Sequence, residues 1–236
     1  MPVYRNVPPG GAFDNPADTV PGRHTNYGDA YTNPVGLGRH NLADEGSYFS
    51  FITPTPGTGI VDGVVTTFVE TTPNILIYNG SNNKRLVMDF IRLTVTVAPA
   101  GGTRVRFTTT IDDGNRYTSG GTALTINNTN MDSTVSSSGV SAYKGAITAT
   151  AASGSRRVVA DTMFRWGTIG IVGDVYELVF GEPNVATITP VATVATFSKG
   201  LPPVVIGPGD SLVIVQWEAS QSTAPTHAVE GGFWLR

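Results

Sequence analysis

The chain has 236 residues, a formal net charge of −3 and no cysteine. The slightly negative charge argues against a dedicated nucleic-acid binder, and the absence of thiols excludes disulfides and thiolate metal sites. Charged residues make up only 14% of the chain, which is rich in glycine (28) and proline (16). This composition is typical of strands and turns. The low charge fits a surface covered by a partner, or one solvated by Thr, Ser and Asn instead.

Residues 1–59 predict an extended N-terminal arm. Half of the prolines, 8 of 16, fall in this segment, and neither the strand nor the helix period continues for more than a few residues. Aromatic residues and arginines recur among the prolines, as they do in the hot spots of protein interfaces. The residues expected to contact a partner are Tyr4, Arg5, Phe13, Arg23, Tyr27, Tyr31 and Arg39. We expect the arm to order by lying on another surface; the alternative is a tail packed on its own domain.

The beginning of the chain, Met1-Pro2-Val3-Tyr4-Arg5, lacks the apolar segment of a secretory signal. No apolar run approaches the roughly 20 residues that span a bilayer. The sequence therefore predicts a protein made in the cytoplasm, with neither a membrane nor a nucleic acid as its partner.

From residue 60 onward, strand patterns alternate with turn signals. Residues 118–155 are rich in Ser, Thr, Gly and Asn, and we expect them to form a long exposed excursion of short strands and loops. About ten strands and no convincing helix predict one antiparallel, jelly-roll-like β-sandwich over residues 60–236. The strands are expected at residues 60–70, 74–78, 85–97, 103–111, 157–160, 163–172, 175–180, 203–218 and 228–235.

Two hairpins are predicted from tight turn signals. In residues 203–218, two β-branched runs flank Gly207-Pro208-Gly209-Asp210, and in residues 163–180 the turn is Gly173-Asp174. The first hairpin is apolar on both faces, which indicates a strand inside a sandwich or at an interface. Leu212 and Trp217 lie on opposite faces of it, and they are the candidates for an oligomer interface.

The sequence contains no motif of a serine hydrolase, a P-loop, a dinucleotide site or a zinc protease. His24, His40 and His227 are isolated, and Asp112-Asp113-Gly114-Asn115 is interpreted as a hairpin turn and not a calcium loop. Neither a cofactor nor a metal is expected, and no catalytic residue is assigned.

A glycosidase would need a pair of carboxylates, and five acids could supply one. We interpret Glu177 and Glu218, which lie in apolar strands, as ion-pair partners of arginines and not as catalytic groups. The candidate acids are Asp161, Asp174, Glu177, Glu182 and Glu218, and the candidate arginines are Arg104, Arg106 and Arg165.

The C-terminal region contains Pro208-Gly209-Asp210-Ser211-Leu212 between apolar strands, and a last strand with Gly231-Gly232-Phe233-Trp234-Leu235. With an arm before an all-β domain, this resembles the jelly-roll virion proteins of tailed bacteriophages, in particular capsid decoration (cement) proteins. The resemblance extends to the architecture of the whole chain but to residues only in about 203–235, and fibre and tail modules share this motif. It implies homotrimers on the capsid surface that clamp neighbouring subunits of the major capsid protein with their arms.

The leading hypothesis is a structural virion protein without enzymatic activity, which stabilises the head by bridging capsid subunits. The second is a tail or head fibre module that binds a host receptor or glycan through residues 112–139. The third is a glycosidase or depolymerase acting through a pair of the carboxylates named above.

Overall fold

The computed structural model describes residues 38–102, 104–137, 139–166, 169–182 and 194–236. The chain divides into two compact units, Met1–Asn41 and Leu42–Arg236. The elements of the described residues are α1 (Gly38–Asp44), β1 (Tyr48–Ile52), β2 (Ile60–Val61), β3 (Ile75–Asn79), β4 (Leu86–Val97), β5 (Ala100–Gly101), β6 (Arg104–Asp112), β7 (Tyr117–Ala123), β8 (Thr125–Asn128), β9 (Val140–Ala149), β10 (Arg157–Trp166), β11 (Val175–Phe180), β12 (Thr196–Leu201), β13 (Val205–Ile206), β14 (Ser211–Trp217), β15 (Gln221–Thr223) and β16 (Thr226–Leu235).

The strands form two large sheets and one small one. The eight-stranded sheet has the order β12-β11-β4-β16-β1-β8, with β13 and β2 paired at the ends of β4 and β16. The six-stranded sheet has the order β10-β6-β14-β3-β9-β7, and β15 pairs with β5 separately. All of these pairings are antiparallel except that of β11 with β12. The predicted antiparallel β-sandwich is confirmed.

The two large sheets enclose the main core because most of their strands alternate apolar and polar residues. In β4, for example, Leu86, Met88, Ile91, Leu93 and Val95 are all buried. A period of two places one face of each strand against the opposite sheet. Most connections also cross from one sheet to the other, which gives the fold its jelly-roll-like character.

The first predicted hairpin is wrong, although its turn is correct. The backbone turns at the expected place: the Asp210 N–H donates to the Gly207 oxygen over 3.2 Å, and Gly209 has a φ of +88°. The strands on either side, however, do not pair with each other. β13 pairs with β4 in the eight-stranded sheet, whereas β14 lies between β3 and β6 in the six-stranded sheet. The turn between β13 and β14 therefore connects the two sheets.

Two further predicted hairpin turns do not close hairpins: one connects the two sheets, and the other joins strands of one sheet that are not neighbours. β10 pairs with β6 and β11 pairs with β4, so the turn at Gly173-Asp174 carries the chain between layers. The Asp112–Asn115 turn leads from β6 to β7, which lie apart in the six-stranded sheet. Local patterns predicted the strands and the turns, but sheet membership depends on partners distant in sequence.

Two segments are placed more deeply than the sequence predicted. Residues 118–155 were expected to be an exposed excursion, but β9 within them lies between β3 and β7 with several buried side chains. Within the range predicted as the arm, β1 is a strand of the eight-stranded sheet, with Phe49 and Phe51 in the core. Residues 60–70, expected to be one strand, form only the two-residue β2.

Candidate interaction surface and buried ionic clusters

The outer face of the six-stranded sheet carries a second apolar cluster. Val213 and Val215 of β14 and Leu76 of β3 are fully buried there, although they point away from the space between the sheets. Residues 62–73, here called the cover segment, lie over this cluster and insert Val65, which is 5% exposed. The sheet is therefore packed on both faces, and half-buried aromatic rings surround the outer cluster. These rings belong to Phe68, Tyr78, Tyr117, Tyr143 and Trp217.

Trp217 lies in a row of outward-facing side chains across β14, β6 and β10. The guanidinium carbon of Arg106 lies 4.7 Å from the Trp217 ring centroid, and the indole N–H donates to Thr108 over 2.9 Å. Asp161 of β10 accepts hydrogen bonds from Arg106, which raise the pKa of Arg106 and lower that of Asp161. The row Trp217, Arg106 and Asp161 is called the Trp217 row below. Contacts within the domain hold its ring and its guanidinium.

Leu212 is placed differently from Trp217. Its side chain is 0% exposed and belongs to the core between the two sheets. It therefore does not reach the surface of the domain, whereas the half-buried Trp217 does. Of the predicted arm contacts, Arg39 lies exposed in α1, and Tyr4, Arg5, Phe13, Arg23, Tyr27 and Tyr31 lie outside the described residues.

A pair of tyrosines lies beside an exposed strand at the edge of the six-stranded sheet. The rings of Tyr117 and Tyr143 are parallel within 6°, with their centroids 3.8 Å apart. Every residue of β7 after Tyr117 is exposed. The strand consists of Thr, Ser, Gly and Ala at these positions, so exposed hydroxyl groups lie along the same strand as Tyr117.

Three of the acids considered for a glycosidase site are ion-paired with arginines. Asp161 pairs with Arg106, Asp174 with Arg165 at 2.7 Å, and Glu177 with Arg92 at 2.8 Å. The pKa of Glu177 is lowered because hydrogen bonds from Ser198 and Arg92 outweigh its burial. The interpretation of Glu177 as an ion-pair acid is thus confirmed, although its partner is not among the arginines that the sequence suggested.

Glu218 has a different environment from the other acids. Its side chain is 0% exposed, and Oε1 accepts the backbone N–H of Arg104 at 3.2 Å. Oε2 accepts no hydrogen bond from the described residues. Burial raises the pKa of Glu218 to about 7, and the hydrogen bond from Arg104 offsets only part of that effect.

A cluster of three ionisable groups lies between the sheets, and all three side chains are 0% exposed. Asp62, at the start of the cover segment, accepts Lys144 Nζ at Oδ1, and Nδ1 of His227 lies 2.7 Å from Oδ2. Lys144 comes from β9 and His227 from β16, so the cluster joins strands of both sheets. The expectation that His227 is isolated is therefore wrong.

The protonation states of this cluster follow from its burial. Burial lowers the pKa of His227, and hydrogen bonding to Asp62 recovers only part of the shift, so the imidazole is neutral. Burial alone raises the pKa of Asp62, but the charge of Lys144 and the hydrogen bond from His227 outweigh it. Nε2 of His227 has no hydrogen-bond partner among the described residues.

A second buried cluster forms where β6 ends. Asp112 accepts hydrogen bonds from Arg116, from the backbone and hydroxyl of Ser153, and from its neighbour Asp113. Arg116, which is 2% exposed, also donates to the Thr150 oxygen at 2.9 Å and the Glu70 oxygen at 3.3 Å. Burial alone would raise the pKa of Asp112, but these hydrogen bonds hold it below its usual value.

The described residues contain no group of three or more His, Asp or Glu side chains placed to hold a metal ion. The same part of the chain has no helix with the length and apolar character that crossing a membrane requires. Comparison with known proteins gives no match to a protein family, a curated protein or a solved structure.

Proposed function

We propose that the chain is a structural virion protein without enzymatic activity, located on the capsid surface. In this role it decorates the head as a homotrimer, bridges subunits of the major capsid protein through its N-terminal residues, and stabilises the shell. The resemblance of residues 203–235 to phage decoration proteins motivates this proposal, and bridging requires buried contact area and no chemistry.

The observation that carries the proposal is the Trp217 row on the outer face of the six-stranded sheet. Interfaces are enriched in Trp, Tyr and Arg at their centres, where such side chains become desolvated. The ring of Trp217 already has Arg106 over one face, and Arg106 has Asp161 as its ion partner. A preorganised row loses little conformational entropy when a partner covers it, which supports its use as a subunit contact.

The test combines the oligomeric state with binding to heads. The purified chain is expected to be a trimer by light scattering and to cosediment with heads built from its major capsid protein. Trp217→Ala should weaken one or both of these associations by at least tenfold. Phe90→Ala is a matched control, because Phe90 is a half-buried ring with a guanidinium, that of Arg92, 5.6 Å from its centroid, and it lies in the other sheet.

A truncated chain tests the role of the N-terminal residues. Deleting residues 2–40 leaves the compact unit Leu42–Arg236 nearly intact. The truncated chain should fold, but its affinity for heads should fall. Full affinity of the truncated chain, or heads without the protein that resist heat as well as complete heads, would contradict the proposed role.

A second candidate, a fibre module that binds a host glycan, is favoured by the Tyr117–Tyr143 pair beside the exposed β7. Aromatic rings with nearby hydroxyl groups can stack on and hydrogen-bond to sugars. A glycan array probed with the wild-type chain and with Tyr143→Ala tests this function. Signals that vanish in the variant support it, and a blank array for the wild type removes it.

A further inference from the structure

We propose that Lys144 and Asp62 join in an intramolecular isopeptide bond, formed by the chain itself with His227 assisting. The proposal concerns the interior of the domain, and it does not depend on the virion role.

The first support is the placement of the reacting groups. Nζ of Lys144 contacts Oδ1 of Asp62, and both side chains are 0% exposed. Lys144 lies two residues beyond Ala142 on β9, and Ala142 belongs to the core between the sheets. The amine therefore points inward, directly at a carboxyl group. Holding two reactants together in this way gives effective concentrations far above those in solution.

The pair also differs chemically from the other ion pairs of the described residues. Asp112, Asp161, Asp174, Glu70, Glu177 and Glu230 all pair with arginines. A guanidinium keeps its proton in proteins and does not act as a nucleophile, whereas a lysine amine can when it is desolvated. Asp62 is the acid paired with a lysine, and this pair is fully buried.

The bond requires no external reagent, because its atoms and electrons balance within the pair. The ammonium of Lys144 and the carboxylate of Asp62 have three protons on nitrogen between them. Nζ forms a bond to Cγ of Asp62, one Cγ–O bond breaks, and the oxygen leaves as water with two of these protons. The third proton stays on the nitrogen of the new amide.

Burial favours the reacting form of the amine. Desolvation lowers the pKa of Lys144, although the charge of Asp62 acts in the opposite direction. Transfer of a proton from Nζ to Asp62 gives the neutral amine and the neutral acid that react, and the desolvation of Lys144 reduces the free-energy cost of this step. A site closed to bulk water also protects the amide from hydrolysis.

His227 is placed to stabilise the addition step. Its Nδ1 lies 2.7 Å from Oδ2, the oxygen that Lys144 does not contact, so Nδ1–H can donate to the negative charge that develops there. The ring of Tyr176 lies edge-on to the imidazole, with centroids 6.2 Å apart, and fixes its orientation. The imidazole donates in the same direction before and after the bond forms, and it is not consumed.

The bond would connect the two layers of the sandwich. Lys144 belongs to β9 of the six-stranded sheet, and Asp62 follows β2, which pairs with β16 of the eight-stranded sheet. Residues 62 and 144 are far apart in sequence, so one amide closes a long loop of the chain. In a shell protein under mechanical stress, this amide would connect the two sheets covalently.

Intact-mass spectrometry of the purified wild-type chain tests the proposal directly. After correction for removal of Met1, the expected mass is lower than the sequence mass by one water. In a tryptic digest, residues 40–84 should be joined to residues 117–156, with no cleavage after Lys144. A folded wild-type chain with the full sequence mass and separate peptides would overturn the proposal.

Two variants complete the mass measurement. Lys144→Gln should have its full sequence mass, whereas Lys199→Gln, the same change at a half-buried lysine in β12, should still lack one water. Water loss that persists in Lys144→Gln would contradict the assignment of the amine.

The role of His227 is tested by the rate of bond formation and not by its final extent. Chains made by cell-free synthesis are sampled over time, and folding is followed in parallel by circular dichroism. His227→Gln is expected to fold but to lose water on the order of 100-fold more slowly, as for removal of a donor to a developing oxyanion. Bond formation at the wild-type rate would assign His227 a packing role only.

Discussion

The two buried ionic clusters of the domain accommodate their charged groups in different ways. At the end of β6, Asp112 and Arg116 meet in a site where Ser153, Thr150 and Glu70 complete their hydrogen bonds. Between the sheets, Asp62 meets a lysine and a histidine, and Nε2 of that histidine has no partner among the described residues. Burial alone therefore does not determine the chemistry of an ion pair: a guanidinium stays an ion, whereas an amine can react.

The largest expected effect comes from removing the Lys144–Asp62 pair as a unit. In the double variant Lys144→Met, Asp62→Asn, the asparagine oxygen still accepts a hydrogen bond from His227. Replacing an ordinary buried ion pair in this way is often neutral or stabilising. Loss of a covalent tie that closes a loop of roughly 80 residues should instead lower the free energy of unfolding by about 4 kcal/mol. Guanidinium denaturation measures the difference, and an unchanged free energy of unfolding would contradict the covalent link.

Breaking the other cluster should cost slightly less. Arg116→Met leaves the carboxylate of Asp112 buried without its ion partner, and such a change typically costs about 3 to 4 kcal/mol. Urea denaturation with circular dichroism gives the value. Arg157→Met, a change of the same kind at an exposed position, is the control and should stay within about 0.5 kcal/mol of the wild type. Equal stability of the two variants would show that Arg116 is not needed to neutralise Asp112.

Glu218 is a buried acid that forms no ion pair of either kind with the residues that the structure describes. Its pKa is raised to about 7 in the folded chain, so the folded state binds a proton more tightly than the unfolded state. This contribution to stability is complete below the ordinary pKa of a glutamate and is lost as the pH rises through about 7. Between pH 5 and pH 8 we expect the free energy of unfolding to fall by about 2 kcal/mol. Glu218→Gln should remove this decrease. A variant with the same pH profile as the wild type would contradict the raised pKa.

His227 should give a smaller pH dependence of the opposite sign. Its pKa is lowered by burial, so the unfolded state binds the proton more tightly, and stability falls as the pH drops below the ordinary value of about 6.5. Between pH 7.5 and pH 5.5 the expected loss in the free energy of unfolding is at most about 1.4 kcal/mol, the limit for an imidazole that stays neutral in the folded state. The measurement is best made in the Glu218→Gln background, where the larger opposing titration is absent. His227→Gln should flatten the remaining slope, and a slope that persists would point to another group.

The strand regions and the fold class could be predicted from the sequence because they depend on local patterns. In β4, the alternation of buried and exposed residues identifies the strand, and Pro208 and Gly209 identify the turn before β14. Whether the flanking strands pair with each other depends on strands that are distant in sequence. β13 pairs with β4 and β14 pairs with β3, and both partners lie more than a hundred residues earlier in the chain.

The buried clusters could not be predicted because their members are scattered along the sequence. Asp62, Lys144 and His227 are separated by more than 80 residues each and form no motif. One signal was available: Lys144 has the same strand parity as Ala142, which marks a charged residue on a core-facing position. A lysine at such a position requires a buried partner, and three-dimensional structure is needed to say which.

The pairing of β1 with β16 has a consequence for how the chain folds as it is made. Tyr48 is the neighbour of Trp234, and Gly231 and Gly232 leave the space that the rings of Phe51 and Tyr48 occupy. β16 also separates β4 from β1 in the sheet. The middle of the eight-stranded sheet therefore stays open until β16 has been synthesised. Domains with such distant pairings fold in milliseconds to seconds, so we expect this sheet to close only after β16 has left the ribosome.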